Sequence, residues 1–168
     1  MSAAASRLCA ACGMCCDGVM FYSIYLQPED SVRELKSLGM RIKHKRDDRA
    51  ILQPCPAYRH SQCSIYAHRP CRCRLFHCQQ LLKVASGEIT EFEALRKIQA
   101  ARQQADLVLS LLPQAGSTNN KRSLATRCAA ALCHPIDAAS DPHAAAIRDQ
   151  LSTASKKLED ILARDFRV

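Results

Sequence analysis

The chain has 168 residues, a formal net charge of +8 from 24 lysines and arginines against 16 aspartates and glutamates, and 11 cysteines. This length is sufficient for one hydrophobic core of ordinary size, which excludes a mini-protein that depends on disulfides to fold. Nine cysteines nevertheless lie in the first 78 residues, a density typical of a disulfide framework or a metal site.

The first 80 residues predict short elements joined by loops. After the turn signal Asp17-Gly18, the β-branched and aromatic stretch 19–26 predicts a strand. Acidic residues after Pro28 and a terminal Gly39 predict a helix of about three turns. Two further short strands are predicted at 50–52 and 64–66, each near a cysteine.

The apolar pattern becomes helical from about Cys73. One helix is predicted to leave the last cysteines of this region and to end at Gly87. A second begins at the capping box Thr90–Glu93 and carries an apolar stripe, from Phe92 through Leu109 and Leu112, to Pro113. A third is predicted over 121–133, where Pro135 stops it.

The last predicted helix begins at Asp141-Pro142, an N-cap followed by a proline at the first helical position. Apolar residues follow at three- and four-residue steps from Ile147 to Leu162. We expect this helix to pack antiparallel on the 90–112 helix, the alternative being a self-associating coiled coil. The predicted fold class is α+β, with a metal-organised cysteine-rich module at 1–84 and an α-helical hairpin extension at 85–168.

The compartment bears on the role of the cysteines. No signal peptide is visible at the N-terminus, and no apolar run approaches the roughly 18 residues of a membrane span. We therefore expect a cytoplasmic protein without a membrane partner, whose thiols stay reduced. The odd number of cysteines also fits disulfides poorly, so metal binding is favoured.

The strongest motif is Cys-x2-Cys-x2-Cys-Cys, in which two-residue spacing allows a tight turn to direct successive sulfurs at one centre. Gly13 suits such a turn because backbone around a metal often needs positive φ. A second group of four cysteines follows at longer spacing, which gives enough ligands for two four-thiolate sites or for one site with additional thiols. The candidate metal and cofactor ligands are Cys9, Cys12, Cys15, Cys16, Cys55, Cys63, Cys73 and Cys78.

These cysteines stand among other distinctive residues, namely Ile65-Tyr66, Arg69-Pro70 and Cys73-Arg74. The combination resembles the YkgJ-type cysteine-cluster family over about residues 9–78. Members of that family are described as zinc- or iron-chelating domains or as iron–sulfur oxidoreductases. The resemblance implies metal chelation by the same eight cysteines. It leaves Cys71 as an additional thiol, an alternative ligand or a resolving thiol, and it does not extend to the helices after residue 85.

All-sulfur ligation suits both zinc and iron–sulfur clusters. The Cys-x2-Cys-x2-Cys run and the dipeptide Cys55-Pro56 are similar to bacterial ferredoxin motifs, whereas the adjacent Cys16 departs from that spacing. An iron–sulfur cluster is therefore the favoured cofactor, with zinc as the alternative.

Other interpretations are weaker. A Cys-x2-Cys redox motif would follow a strand, and none is predicted before Cys9. The histidines near the second cysteine group are expected at the surface or beside ligands, and Cys128 and Cys133 are expected to pack in the core. The basic stretch 41–49 lacks the aromatic residues typical of nucleic-acid binding, so it predicts a solvated face or turn and argues against such binding. The three arginines that alternate with cysteines are expected to counter thiolate charge; they are Arg69, Arg72 and Arg74.

The sequence supports two hypotheses. The first is an iron–sulfur protein in electron transfer, redox chemistry or metal handling, with an oxidoreductase activity left open. The second is a zinc-stabilised binding module without catalysis, whose C-terminal helices recruit a protein partner.

Overall fold

The computed structural model describes residues 3–45, 48–133 and 140–168. They combine helices with small antiparallel sheets and form two compact units. One unit comprises Met1–His77 with Lys121–Ser123, and the other comprises Cys78–Asn120 with Leu124–Val168.

Within the described residues, the first unit contains three helices and five strands, most of them very short. The strands β1, β3 and β2 form an antiparallel sheet in that order, and β4 and β5 form a separate antiparallel pair. A 3₁₀ turn lies between β5 and α3. In chain order the elements are α1 (Ala3–Cys12), β1 (Ser23–Tyr25), α2 (Val32–Ser37), β2 (Ile42–Lys45), β3 (Asp48–Leu52), β4 (Tyr58–Arg59), β5 (Gln62–Cys63), the turn (Tyr66–His68) and α3 (Cys71–Leu75).

A small hydrophobic cluster organises this unit. Its buried members come from α2, β3 and the loops beside the strands, and two cysteines pack against it from the side. The buried residues are Leu35, Met40, Ile51, Ala57 and Ile65, and the two cysteines are Cys55 and Cys63. The cluster thus fixes two candidate ligands to the core.

The predicted strand over 19–26 is wrong in length, because only Ser23–Tyr25 pairs with β3. The amide of Val19 donates to the Asp17 carboxylate instead, at 3.0 Å, and the amide of Met20 donates to the Met14 carbonyl, at 2.9 Å. These loop hydrogen bonds replace the sheet ladder at the start of the predicted strand.

Three other expectations for this region are corrected. The helix after Pro28 begins only at Val32, because Ser31 caps it by accepting from the amide of Glu34. The strand predicted at 64–66 is absent from the described elements, since β5 ends at Cys63 and the 3₁₀ turn begins at Tyr66. The single helix expected from Cys73 to Gly87 is interrupted by extended backbone at Phe76 and Cys78.

The second unit is helical. Its helices are α4 (Gln79–Ala85), α5 (Glu91–Gln114), α6 (Leu124–Leu132) and α7 (Pro142–Asp165). The predicted capping box of α5 and the predicted Asp141 cap of α7 are both present. Each supplies a side-chain acceptor for an amide that the first helical turn leaves unbonded.

The two long helices pack antiparallel, as predicted. Lys97 of α5 pairs with Asp165 of α7 at 3.0 Å, whereas Gln104, further along α5, donates to the carbonyl of Ala154 at 2.9 Å. Leu151 and Leu162 of the predicted α7 stripe are buried. Phe92 departs from the α5 stripe, because the residue is 69% exposed.

Two expectations concern residues near α6. Cys128 is buried, as predicted, and burial raises its pKa. The expectation of core packing is wrong for Cys133, which is exposed just beyond the last turn and donates to the carbonyl of Ala130. The predicted stop at Pro135 lies outside the described residues. No helix among the described residues is long and apolar enough to cross a membrane.

Candidate metal centre

The Cys-x2-Cys-x2-Cys-Cys motif adopts a helix followed by a turn, rather than the single tight turn that the spacing predicts. Cys9 and Cys12 lie on α1, whose Ala-rich sequence has high helix propensity. Gly13 ends the helix with φ of 63°, and its amide donates to the Cys9 carbonyl at 2.9 Å. Cys15 and Cys16 then lie in the turn, where their Sγ atoms are 3.7 Å apart.

Gly13 is required for space as well as for its positive φ. A Cβ atom built at this position would lie 1.8 Å from the Tyr58 hydroxyl oxygen, far inside contact distance. Tyr58 begins the β4–β5 pair and lies opposite Cys63 in its register. The turn between Cys12 and Cys15 therefore approaches the strand pair that carries Cys63.

Cys55 lies beside the same turn. Its amide donates to the Cys16 carbonyl at 2.8 Å, and its own carbonyl accepts from the amide of Tyr58 at 3.0 Å. Its Sγ atom lies 4.0 Å from the thioether sulfur of the buried Met40. Cys55 is thus fixed between the Cys15–Cys16 turn and the strand pair.

Cys73 lies on α3, which two contacts hold in place. The amide of Cys71 donates to the Asp30 carboxylate at 2.8 Å. The ring of Phe76, just after the helix, packs edge-to-face on Phe21 with centroids 5.1 Å apart. Phe21 lies only five residues after Cys16, so α3 is anchored to the segment that leaves the cysteine turn.

The thiols interact with one another. Burial raises the pKa of Cys73 to about 12, and the neighbouring Cys55, Cys15 and Cys63 contribute to the rise. A side-chain hydrogen bond with Cys16, followed by burial, raises the pKa of Cys15. Burial raises the pKa of Cys55 as well. Without a metal, these sulfurs are therefore held as neutral thiols.

Two arginines oppose these shifts. Arg69 lowers the pKa of Cys73, as its predicted role as a counter-charge requires, and its guanidinium stacks 3.7 Å from the centre of the Tyr66 ring. Arg41 lowers the pKa of Cys55 and donates to the Pro54 carbonyl at 2.8 Å. The sequence assigned Arg41 to a solvated basic stretch. Its contact with the Cys55 segment was not predicted, because that contact depends on tertiary structure. In that stretch Lys43, His44 and Arg49 are exposed, as predicted.

The remaining candidates differ in position. Cys78 precedes α4 and belongs to the second unit, whereas the other seven candidates belong to the first. The nearby histidines are exposed, as predicted: His68 contacts Glu34 at 2.7 Å, and His77 contacts the Leu75 carbonyl at 3.0 Å.

The donor set fits a thiophilic metal. In the parts of the chain that the structure describes, no group of three or more Cys, His, Asp or Glu side chains is arranged to hold a metal ion. Cys55 and Cys63 nevertheless pack against one hydrophobic cluster, the Cys55 amide is bonded to the Cys16 carbonyl, and thiolates bind zinc and iron–sulfur clusters.

The sequence matches the model of a known family. The model of the CxxCxxCC family, described as a putative zinc- or iron-chelating domain, matches residues 8–106. The chain belongs to the CxxCxxCC family. The match extends past Cys78 into α5, which corrects the expectation that the family resemblance excludes the helices after residue 85. Searches of curated proteins and of solved structures gave no match.

Proposed function

We propose that this CxxCxxCC protein is an iron–sulfur protein that acts in electron transfer, redox chemistry or metal handling in the cytoplasm. The observation that carries the proposal is the packing of cysteine-bearing segments within one unit: the Cys55 amide donates to the Cys16 carbonyl at 2.8 Å, and Cys55 and Cys63 pack against the same hydrophobic cluster. Thiolates gathered in this way are the usual ligands of iron–sulfur clusters.

The ligands proposed are the eight cysteines that the sequence singles out, within a metal-binding module at 1–84. They are Cys9, Cys12, Cys15, Cys16, Cys55, Cys63, Cys73 and Cys78. An iron–sulfur cluster, when bound, would accept and release single electrons at a potential set by burial, charge and hydrogen bonds to its sulfurs.

The chain's own residues set the environment of such a centre. Met40 excludes water from one side of Cys55, while Arg41 and Arg69 place positive charge near Cys55 and Cys73. Positive charge stabilises thiolates and favours the more negative, reduced form of a cluster. These residues would hold the ligands in place and raise the reduction potential.

A zinc-stabilised binding module is the second candidate function, and the shortness of the elements favours it. Both β4 and β5 have two residues, and α3 has five. Elements of this length contribute little stability alone, whereas a structural zinc site contributes folding free energy directly. In this alternative the helices of 85–168 would bind a protein partner.

The experiment is metal analysis of the full chain purified without oxygen. The iron–sulfur proposal predicts a brown protein that contains iron and acid-labile sulfide, and Cys63→Ser should lower both. Cys128→Ser, a substitution of a buried cysteine in the helical unit, should leave both unchanged. A colourless protein with stoichiometric zinc would support the second function and contradict the first.

A further inference from the structure

The outer face of the β1–β3–β2 sheet combines an aromatic ring with basic side chains. The strand register places Tyr25 of β1, Ala50 of β3 and Lys43 of β2 in one row across the sheet. We propose that this face binds single-stranded nucleic acid, with a base stacked on Tyr25 and a phosphate at Lys43. This activity goes beyond the proposed function and does not depend on the metal.

The two faces of the sheet differ because side chains alternate in direction along a strand. Ile51 of β3 is buried in the hydrophobic cluster of the first unit, and Leu26 and Ile42 pack against that cluster. Their chain neighbours in the row described above therefore lie on the opposite face. This opposite face, directed away from the cluster, is the outer face.

The outer face presents an aromatic ring to solvent. Tyr25 is 44% exposed, and Leu52, on the same face of β3, is 36% exposed. The residue between Tyr25 and Lys43 is Ala50, whose side chain is a single methyl group. Bases of every kind stack on an exposed aromatic ring, so such a platform binds single strands without reading their sequence.

Basic residues follow the β2 edge of this face. Lys43 is exposed, and Lys45 occupies the next position on the same face of β2. Arg41, just before β2, is exposed and donates through one guanidinium nitrogen to the Pro54 carbonyl at 2.8 Å. Asp48 of β3 adds a carboxylate to the face, but Lys45 stands opposite it in the register. The edge is therefore suited to a row of phosphates.

The charge of this part of the chain also suits a polyanion. Residues 1–77 contain 12 lysines and arginines against 6 aspartates and glutamates. In a single strand, phosphates alternate with bases that are accessible for stacking, whereas a duplex encloses its bases. A face with an exposed ring beside a basic edge matches both parts of a single strand. An acidic peptide would use the basic edge alone.

The sequence argued against this activity because the basic stretch 41–49 contains no tyrosine, phenylalanine or tryptophan. The sheet supplies an aromatic ring from β1, which reaches this stretch by pairing with β3. Tyr25 and Lys43 are distant in sequence but only two strand spacings apart, about 10 Å. A lysine side chain can therefore contact the phosphate of a nucleotide whose base stacks on Tyr25.

The test measures binding of fluorescein-labelled 12-mers of oligo(dT) and oligo(U) to the full chain, purified without oxygen, by fluorescence anisotropy. We expect at least one of them to bind, with an affinity that falls as salt rises. A duplex of the same length should bind more weakly because its bases are enclosed. No binding of either single strand, or equal affinity for the duplex, would overturn the proposal without affecting the iron–sulfur proposal, which metal analysis tests separately.

Tyr25→Ala should weaken binding by at least about fivefold, because one base–aromatic stack is lost. Tyr25→Phe keeps the ring and should retain most of the affinity. Lys43→Gln should reduce the slope of log affinity against log salt by about 0.7, the contribution of one phosphate contact in a single strand. Arg49→Gln is the matched control, because it removes the same charge from an exposed position on the opposite face. It should leave affinity and slope unchanged.

A Tyr25→Ala variant that fails to fold is recognised by a loss of far-UV circular dichroism. Lys43→Gln, which changes an exposed side chain, then decides: an unchanged salt slope would overturn the proposal. Equal effects of Lys43→Gln and Arg49→Gln would also overturn it, since binding would then depend on net charge alone. Displacement of the oligonucleotide by polyglutamate of the same charge, at equal concentration, would overturn it in favour of an acidic protein partner.

Discussion

The α carbon of Gly13 faces the Tyr58 hydroxyl so closely that an added Cβ atom would lie 1.8 Å from that oxygen. The contact joins the cysteine turn to the strand pair that carries Cys63. It explains why glycine stands between Cys12 and Cys15: a side chain would both strain the backbone at φ of 63° and displace Tyr58.

We therefore predict that Gly13→Ala destabilises the first unit and weakens metal binding. Positive φ alone costs an alanine about 1–2 kcal/mol, and displacement of Tyr58 should add to this. Gly39→Ala is the matched control, because Gly39 has φ of 83° but nothing within 4 Å of an added Cβ. Urea unfolding of both variants should show a larger loss for Gly13→Ala. Equal losses would mean that the Tyr58 contact contributes nothing.

The raised thiol pKa values predict proton release on metal binding. Cys73, with a pKa of about 12, and Cys15 and Cys55, with raised pKa values, are protonated at neutral pH, but they bind metal as thiolates. Zinc binding should therefore release about four protons per four-thiolate centre, and affinity should rise with pH. Calorimetry in buffers of different ionisation enthalpy measures this number. Binding that releases no protons and is independent of pH would contradict the assignment.

The charge of Arg41 is predicted to strengthen metal binding at Cys55. Arg41→Gln should weaken zinc affinity by less than about tenfold, because exposed charge interactions contribute about 1 kcal/mol or less. Arg41→Lys should retain most of the affinity, since it keeps the charge near Cys55. The control is Arg49→Gln, at an exposed position of β3, which should change nothing. The same loss in Arg41→Lys as in Arg41→Gln would indicate that charge is not the cause.

The helical unit should lose stability in acid through Asp165. Burial raises the pKa of this carboxylate, but hydrogen bonds from Arg164 at 2.6 Å and Lys97 at 3.0 Å outweigh burial and lower the pKa overall. A lowered folded-state pKa contributes stability above the unfolded value of about 4, which is lost as pH falls through the folded value.

Asp165→Asn should accordingly reduce the free energy of unfolding by about 1 kcal/mol at neutral pH, and the difference should shrink below about pH 4. Asp149→Asn, at an exposed position of α7, serves as the control. Urea unfolding at neutral pH and in acid measures this difference in the free energy of unfolding. A difference that persists undiminished in acid would show that the charge of Asp165 is not responsible.

The helical unit was the more predictable part of the fold because its signals are local. The Thr90–Glu93 capping box and the Asp141-Pro142 start lie within a few residues of the helices that they begin. The first unit depends instead on contacts between distant segments. Its strand β1 is shorter than predicted because Asp17 and Met14 bind the amides before it.

The candidate ligands could be selected from the sequence, but the contacts between the segments that carry them could not. Spacing groups Cys15 with the cysteines that are near it in the sequence. The hydrogen bond between Cys16 and Cys55, in contrast, links residues 39 positions apart. The roles of Met40 and Arg41 depend on similar tertiary contacts, 15 and 13 residues along the chain. Cys9 and Cys12 were predicted in a turn, although the alanines around them favour the helix that the structure contains.

The central claim is that cysteine sulfurs of the first unit hold the metal. X-ray absorption spectroscopy at the edge of the metal found in the anaerobically purified protein tests it most directly. We expect a first coordination shell of sulfur only, at about 2.3 Å for either zinc or an iron–sulfur cluster. A shell dominated by nitrogen or oxygen would contradict it.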